Sequence, residues 1–67
     1  MKFDAVVVSF DGARGDGLLR DDRGRDYYFH CVHIADGTRL IDVGVLVSAR
    51  RAVGLRGRDE ATDVVKL

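Results

Sequence analysis

His30, Cys31 and His33 carry the most reactive side chains of the sequence, and they stand within four consecutive positions. Zinc accepts imidazole and thiolate ligands, but a structural zinc site takes four of them in a tetrahedron. A Cys–His pair acts as a nucleophile only when a base is held within hydrogen-bond reach of the thiol. Successive side chains of a strand point to opposite faces, so His30 and Cys31 would diverge. We therefore expect no metal site, no cofactor and no catalytic residues, and we expect that the protein is not an enzyme.

Flat rings and guanidinium groups offer a second kind of chemistry. The aromatic run Tyr27-Tyr28-Phe29 leads directly into His30, and arginine outnumbers lysine nine to two. A guanidinium group forks onto phosphate and stacks on rings, which an ammonium group does not. Aromatic platforms beside a basic groove are the means by which proteins hold single-stranded nucleic acid.

Length and charge limit how such a surface could work. The chain of 67 residues permits one small domain, spanning residues 1–67. Its 11 Lys and Arg residues balance 11 Asp and Glu residues, so only a local basic patch could attract a polyanion. The single cysteine forms no intramolecular disulfide, and the uncharged run of residues 5–10 is too short for a signal sequence or membrane span. We expect a cytoplasmic protein that does not bind membranes.

Eight glycines divide the sequence into segments of strand length. The apolar and β-branched segments predict five strands, at Phe3–Phe10, Gly17–Arg20, Asp26–Val32, Val45–Ala49 and Ala61–Leu67. Ile34–Asp36 is predicted as a single helical turn, Asp36-Gly37 as a hairpin-type turn, and residues 50–60 as a mobile charged loop. Short strands joined by glycine-bearing turns indicate an all-β fold, a small five-stranded barrel.

Two stretches carry a resemblance to a known family. Residues 9–19, Ser-Phe-Asp-Gly-Ala-Arg-Gly-Asp-Gly-Leu-Leu, resemble the start of a cold-shock domain, roughly Trp-Phe-Asn, two residues, then Lys-Gly-Phe/Tyr-Gly-Phe-Ile. Tyr27-Tyr28-Phe29-His30 resembles the family's second ribonucleoprotein motif, roughly Val-Phe-Val-His. The match continues in order through Ile34, Asp36-Gly37, Leu40, Gly44, Val47, Arg56-Gly57, Ala61 and Val64. The chain thus resembles a divergent cold-shock domain, which implies an OB-fold barrel that binds single strands on its second and third strands.

The resemblance also implies which residues would contact nucleic acid. It makes Tyr28 and His30 the outward pair of the third strand and leaves Tyr27 and Phe29 in the core. The predicted contacts are Phe10, Arg14, Leu18, Tyr28, His30, Arg39 and Arg56, with Arg58 as a further cation on the rim. Ser9, Asp16 and Leu18 depart from the pattern, because the family carries aromatic residues at these positions. A carboxylate at Asp16 would repel phosphate.

The predicted function is binding of single-stranded RNA or DNA, as an RNA chaperone or regulator, through a reduced aromatic and basic face. The alternative is a protein-interaction module that keeps the barrel and has lost nucleic-acid binding. Ser9, Asp16, Leu18 and the zero net charge favour that alternative. The expected partners are a single-stranded nucleic acid or a protein, and the expected state is a monomer or weak homodimer.

Overall fold

The β-branched run Val6-Val7-Val8 lies in the middle of the longest strand, β1 (Lys2–Asp11). Val7 is buried while its two neighbours are half-buried, as alternation along a strand requires. Two shorter strands follow, β2 (Asp16–Asp21) and β3 (Asp26–His30), and each is antiparallel to the strand before it. The computed structural model describes residues 2–54 and 57–67 of the chain.

The remaining strands close this sheet into a barrel. A three-residue 3₁₀ turn (Cys31–His33) follows β3, and a long connection leads to β4 (Leu46–Val53), which pairs antiparallel with β1. The last strand, β5 (Asp59–Lys66), lies between β4 and β3 and is parallel to β3, where Tyr28 stands opposite Glu60. The order β1-β2-β3-β5-β4 is closed, which confirms the predicted five-stranded barrel. Within residues 2–54 and 57–67, no helix has the length and hydropathy needed to cross a membrane.

Inward-facing side chains from all five strands and from the long connection form one core. Its buried members are Ala5, Val7, Leu19, Tyr27, Phe29, Cys31, Ile34, Ile41, Val47, Ala49, Ala61 and Val64. Phe29 is the largest of the side chains that are less than 2% exposed. The predicted inward orientation of Tyr27 and Phe29 is therefore confirmed.

A bulge and a close backbone approach bend β1 across β2. Val7 pairs with Leu19, but Ser9 already pairs with Leu18, so Val8 is an extra residue in β1. At the next pair of the two strands, Gly17 of β2 lies so close to β1 that a Cβ on it would collide with the carbonyl group of Ser9. Only glycine allows this approach, which places Phe10 directly beside β2.

The predicted charged loop at residues 50–60 is too long, because residues 50–53 and 59–60 are strand; residues 55 and 56 lie outside the described residues. β4 continues to Val53 and β5 begins at Asp59. The charges that suggested a loop are paired across strands. Arg50 Nε lies 3.4 Å from an Asp63 carboxylate oxygen, and Arg51 Nη2 lies 2.9 Å from one of Asp59.

The structure also moves the predicted helical turn and removes the predicted hairpin. The helical turn lies at Cys31–His33 rather than Ile34–Asp36, because His30 ends β3 and its Nδ1 accepts the amide N–H of Val32. Gly37 does form a turn at a φ of 80°, and its amide donates to the carbonyl of Ile34. No strand follows this turn in residues 38–45; Ile41 instead packs into the core.

Asp36 fastens the long connection to β5. Its carboxylate accepts the hydroxyl and amide of Thr38 and lies 3.1 Å from Lys66 Nζ. The hydrogen bonds from Thr38 are the main cause that lowers the pKa of Asp36 from 3.8 to about 2, and the contact with Lys66 adds to this effect.

Because the folded-state pKa of Asp36 is depressed, its stabilising effect is full above pH 4 and is lost as the pH falls towards 2. We expect Asp36→Asn to lower the melting temperature at pH 6 and to leave it unchanged near pH 2. Thermal unfolding of both proteins across this range measures the difference. A deficit in the variant that stayed constant with pH would contradict the assignment.

Candidate functional site

The outward side chains of β2 and β3 form one continuous face. Asp16 stands opposite His30 in the antiparallel pairing, and Leu18 stands opposite Tyr28. All four side chains are half-buried, whereas Tyr27 and Phe29 between them point into the core. The structure therefore brings together three of the predicted contact residues, namely Leu18, Tyr28 and His30.

A shallow groove runs from this face onto the end of β1. It is lined by Ser9, Phe10, Asp11, Arg14, Asp16, Gly17, Leu18, Tyr28 and Arg58. Phe10 borders both the groove and the core, because its half-buried ring packs against Phe29 with the ring centres 5.9 Å apart. It therefore offers only part of its ring to a ligand.

Asp16 accepts all the hydrogen bonds of a small network in the groove. Arg14 donates to Asp16 Oδ1 from Nε at 3.1 Å and from Nη2 at 2.9 Å, and the Tyr28 hydroxyl donates to Oδ2 at 2.9 Å. The Arg14 hydrogen bond is the main cause that lowers the pKa of Asp16, so this group is a carboxylate at neutral pH. The same network raises the pKa of Tyr28, chiefly through its bond to Asp16. The predicted cation at Arg14 is thus already paired within the protein.

Arg58 covers one face of the Tyr28 ring. Its guanidinium carbon lies 4.0 Å from the ring centre, and its Nε lies 3.5 Å from a carboxylate oxygen of Glu60. Such a cation–π contact is worth about 0.5–1 kcal/mol at an exposed site. A base that stacks on this face of Tyr28 must therefore displace the guanidinium group first.

The predicted divergence of His30 and Cys31 is wrong, because β3 ends at His30 and the Cys31 sulfur lies 3.8 Å from His30 Nδ1. His30 Nδ1 accepts the amide of Val32, which places the proton of the neutral ring on Nε2. Cys31 is buried, and a Cβ on Gly15 would collide with its sulfur. In the part of the chain that the structure describes, no three His, Cys, Asp or Glu residues form a group suited to a metal ion.

Of the two remaining predicted cations, Arg39 does not line the groove. Arg39 is exposed in the long connection, next to Leu40, whose side chain lies over Gly12 near the end of β1. Arg56 lies outside the described residues. Arg20, on the same face of β2, is paired with Asp26 at 2.7 Å. The cations of the face are therefore largely neutralised in place.

Sequence reasoning missed two features of the site: the hydrogen bonds that Asp16 accepts from Arg14 and Tyr28, and the contact between Arg58 and Tyr28. Asp16 lies only two residues from Arg14, so their opposite charges and short separation in the sequence could have indicated that pair. The second contact depends on the parallel pairing of β3 with β5, where Tyr28 stands opposite Glu60. No local sequence pattern signals that pairing.

The architecture belongs to a defined class: a closed five-stranded barrel of the OB type, with the fold of a cold-shock domain. No family model matches the sequence, and no curated protein matches it. Among solved structures, the chain is similar to Drosophila Unr, in a structure titled CSD456, with a TM-score of 0.81 and 24% identity. The similarity covers 100% of this chain and 27% of the Unr chain, so the protein spans about a quarter of that relative.

Proposed function

We propose that this barrel binds single-stranded RNA or DNA on the β2–β3 face and acts by binding rather than by catalysis, as an RNA chaperone or regulator. One observation carries the proposal: Tyr28 and His30 stand outward on neighbouring positions of the face, bordered by the cations Arg14 and Arg58. Rings and guanidinium groups in this arrangement can stack bases and hold phosphate. The cold-shock-type fold supports the same assignment.

Binding exchanges internal contacts for contacts to the ligand. A base takes the place of the Arg58 guanidinium on Tyr28, and the displaced cation becomes available to a neighbouring phosphate. Each cation that leaves a carboxylate for a phosphate conserves charge pairing, so the net gain is smaller than on a surface with unpaired cations. We therefore expect affinity in the micromolar range.

Fluorescence anisotropy with labelled single-stranded oligonucleotides, pyrimidine-rich and mixed, tests the proposal at low and moderate salt. The expected result is binding that weakens as salt rises, because phosphate contacts release counterions. A double-stranded oligonucleotide of the same sequence serves as the ligand control. If single strands fail to bind even at low salt, the proposal is wrong.

Arg14→Gln is expected to weaken binding by about fivefold and to make it less sensitive to salt. The substitution removes a cation from the groove and also leaves the Asp16 carboxylate without its cationic partner, and both effects disfavour phosphate. Arg50→Gln is the matched control, because both guanidinium groups are mostly exposed and paired with an aspartate, but Arg50 lies on β4. Equal losses in the two variants, measured by the same titration, would indicate a general charge effect and no site at Arg14.

A second candidate function, a protein-interaction module, is favoured by an exposed apolar pair at the C-terminal end of β5, away from the groove. Leu46 and Leu67 are 61% and 72% exposed, and they are held side by side by a 3.0 Å hydrogen bond between their backbones. A stoichiometric protein complex that survives nuclease treatment, together with no oligonucleotide binding, would favour this function over the first.

A further inference from the structure

We infer that Asp16 reads base identity in the groove and selects guanine; this inference rests on the proposed nucleic-acid binding. The side chain is only 14% exposed, and it lies in the groove beside Leu18 and Tyr28 rather than on the solvated rim. A carboxylate at this place is unfavourable for phosphate but can accept hydrogen bonds from the N–H groups of a base.

The groups that already surround Asp16 indicate what it can recognise. Its carboxylate oxygens accept three hydrogen bonds, two from Arg14 and one from Tyr28. An ionised carboxylate only accepts hydrogen bonds, and its two oxygens offer about four positions for donors. A base that contacts Asp16 must therefore present N–H groups, and any carbonyl oxygen facing the carboxylate would be repelled.

Guanine meets this requirement better than the other bases. Its Watson–Crick edge carries two adjacent donors, N1–H and the N2 amino group, whereas uracil and thymine present one N–H between two carbonyl oxygens. Adenine and cytosine each present an amino group beside a ring nitrogen that accepts. Single-stranded ligands expose these edges to the protein, and carboxylate side chains read amino groups on bases.

The Arg14 contact is the template for this recognition. The Nε–Cζ–Nη2 unit of Arg14 and the N1–C2–N2 unit of guanine are both planar, with two N–H groups on one side. Guanine can thus replace Arg14 at Asp16 without any new acceptor geometry. The Arg14 side chain is 70% exposed and can turn towards phosphate when displaced. The Tyr28 hydroxyl keeps the carboxylate in position throughout.

Strands that differ at one base test the inference in the wild-type protein. We would titrate thymine heptamers that carry guanine, inosine or thymine at the central position, each at low salt. Inosine keeps N1–H and lacks the N2 amino group. The expected affinity for the guanine strand is about 10-fold higher than for the inosine strand, with the thymine strand weaker still.

Asp16→Asn provides the second arm, because asparagine presents an amide donor as well as one acceptor. This variant is expected to bind the guanine and inosine strands about equally and to bind the thymine strand more tightly than wild type. Asp11→Asn is the matched control: it also lies in the groove near Arg14 and is expected to keep the guanine preference. Circular dichroism of both variants checks the fold.

Equal affinity of the wild-type protein for guanine and inosine would overturn this inference while leaving the proposed function intact. A guanine preference that persisted in Asp16→Asn would overturn it as well. Failure of the wild-type protein to bind all three strands would instead overturn the proposed function, and the inference with it.

Discussion

Replacing Tyr28 and His30 together with alanine is expected to weaken binding of single-stranded nucleic acid by about 30-fold or more. Stacking contributes about 1–3 kcal/mol per base, so the loss of two platforms amounts to about 2–6 kcal/mol. That range corresponds to about 30-fold to more than 10⁴-fold in affinity. The lower part of the range applies here, because Arg58 already occupies one face of Tyr28 and must be displaced by the base.

Anisotropy titration measures this loss, and the melting temperature shows whether the fold is intact. Both side chains are half-buried on the outer face, so the double variant should remain folded. Tyr28→Phe is the conservative control, since it keeps the ring and removes only the hydroxyl bond to Asp16. Unchanged affinity in the double-alanine variant would place the binding surface elsewhere on the barrel.

Phe29→Ala should have the largest effect on stability. Phe29 is 1% exposed and contacts the ring of Phe10, and removing a buried phenylalanine costs about 3–5 kcal/mol. Domains are stabilised by about 0.05–0.15 kcal/mol per residue, which for 67 residues is about 3–10 kcal/mol. If the wild-type stability lies in the lower half of that range, the variant is unfolded or close to its midpoint at room temperature.

Urea unfolding followed by circular dichroism measures the effect. Phe29→Leu should be destabilised less, because the smaller loss of volume leaves a smaller cavity. Tyr28→Ala is the control from the adjacent position, where the side chain points outward and a much smaller loss of stability is expected. Equal destabilisation of both alanine variants would contradict the assignment of the two faces of β3.

The sequence was sufficient to predict five strands and the alternation of β3, because both depend on local patterns, and the strand count together with the family resemblance predicted the barrel. Leu18, Tyr28 and His30 follow from the same alternation once the resemblance assigns the outward face. The sequence pattern was misleading at residues 50–60, where charged side chains suggested a loop. Those charges are satisfied by partners on the neighbouring strand, as with Arg51 and Asp59, and such pairs are visible only once strand register is known.

The electrostatic state of the site could not be predicted for a related reason. Asp16 was expected only to repel phosphate, whereas the structure gives it three donors from Arg14 and Tyr28. Arg58 was expected on the rim, and it lies on the Tyr28 ring because β5 crosses beside β3. Charge counts describe how many cations a chain has, but pairing decides how many a ligand can use.

The position of β5 between β3 and β4 has a consequence for how the chain folds. β1 to β3 can pair as soon as residues 2–30 are available. β4 pairs with β1 over a much longer separation, because Lys2 stands opposite Arg50. The closing strand is the last of the five in chain order, so a growing chain exposes unpaired edges of the other four strands until residues 59–66 emerge. Barrels dominated by such distant pairings reach the native state in milliseconds to seconds, far more slowly than helical bundles.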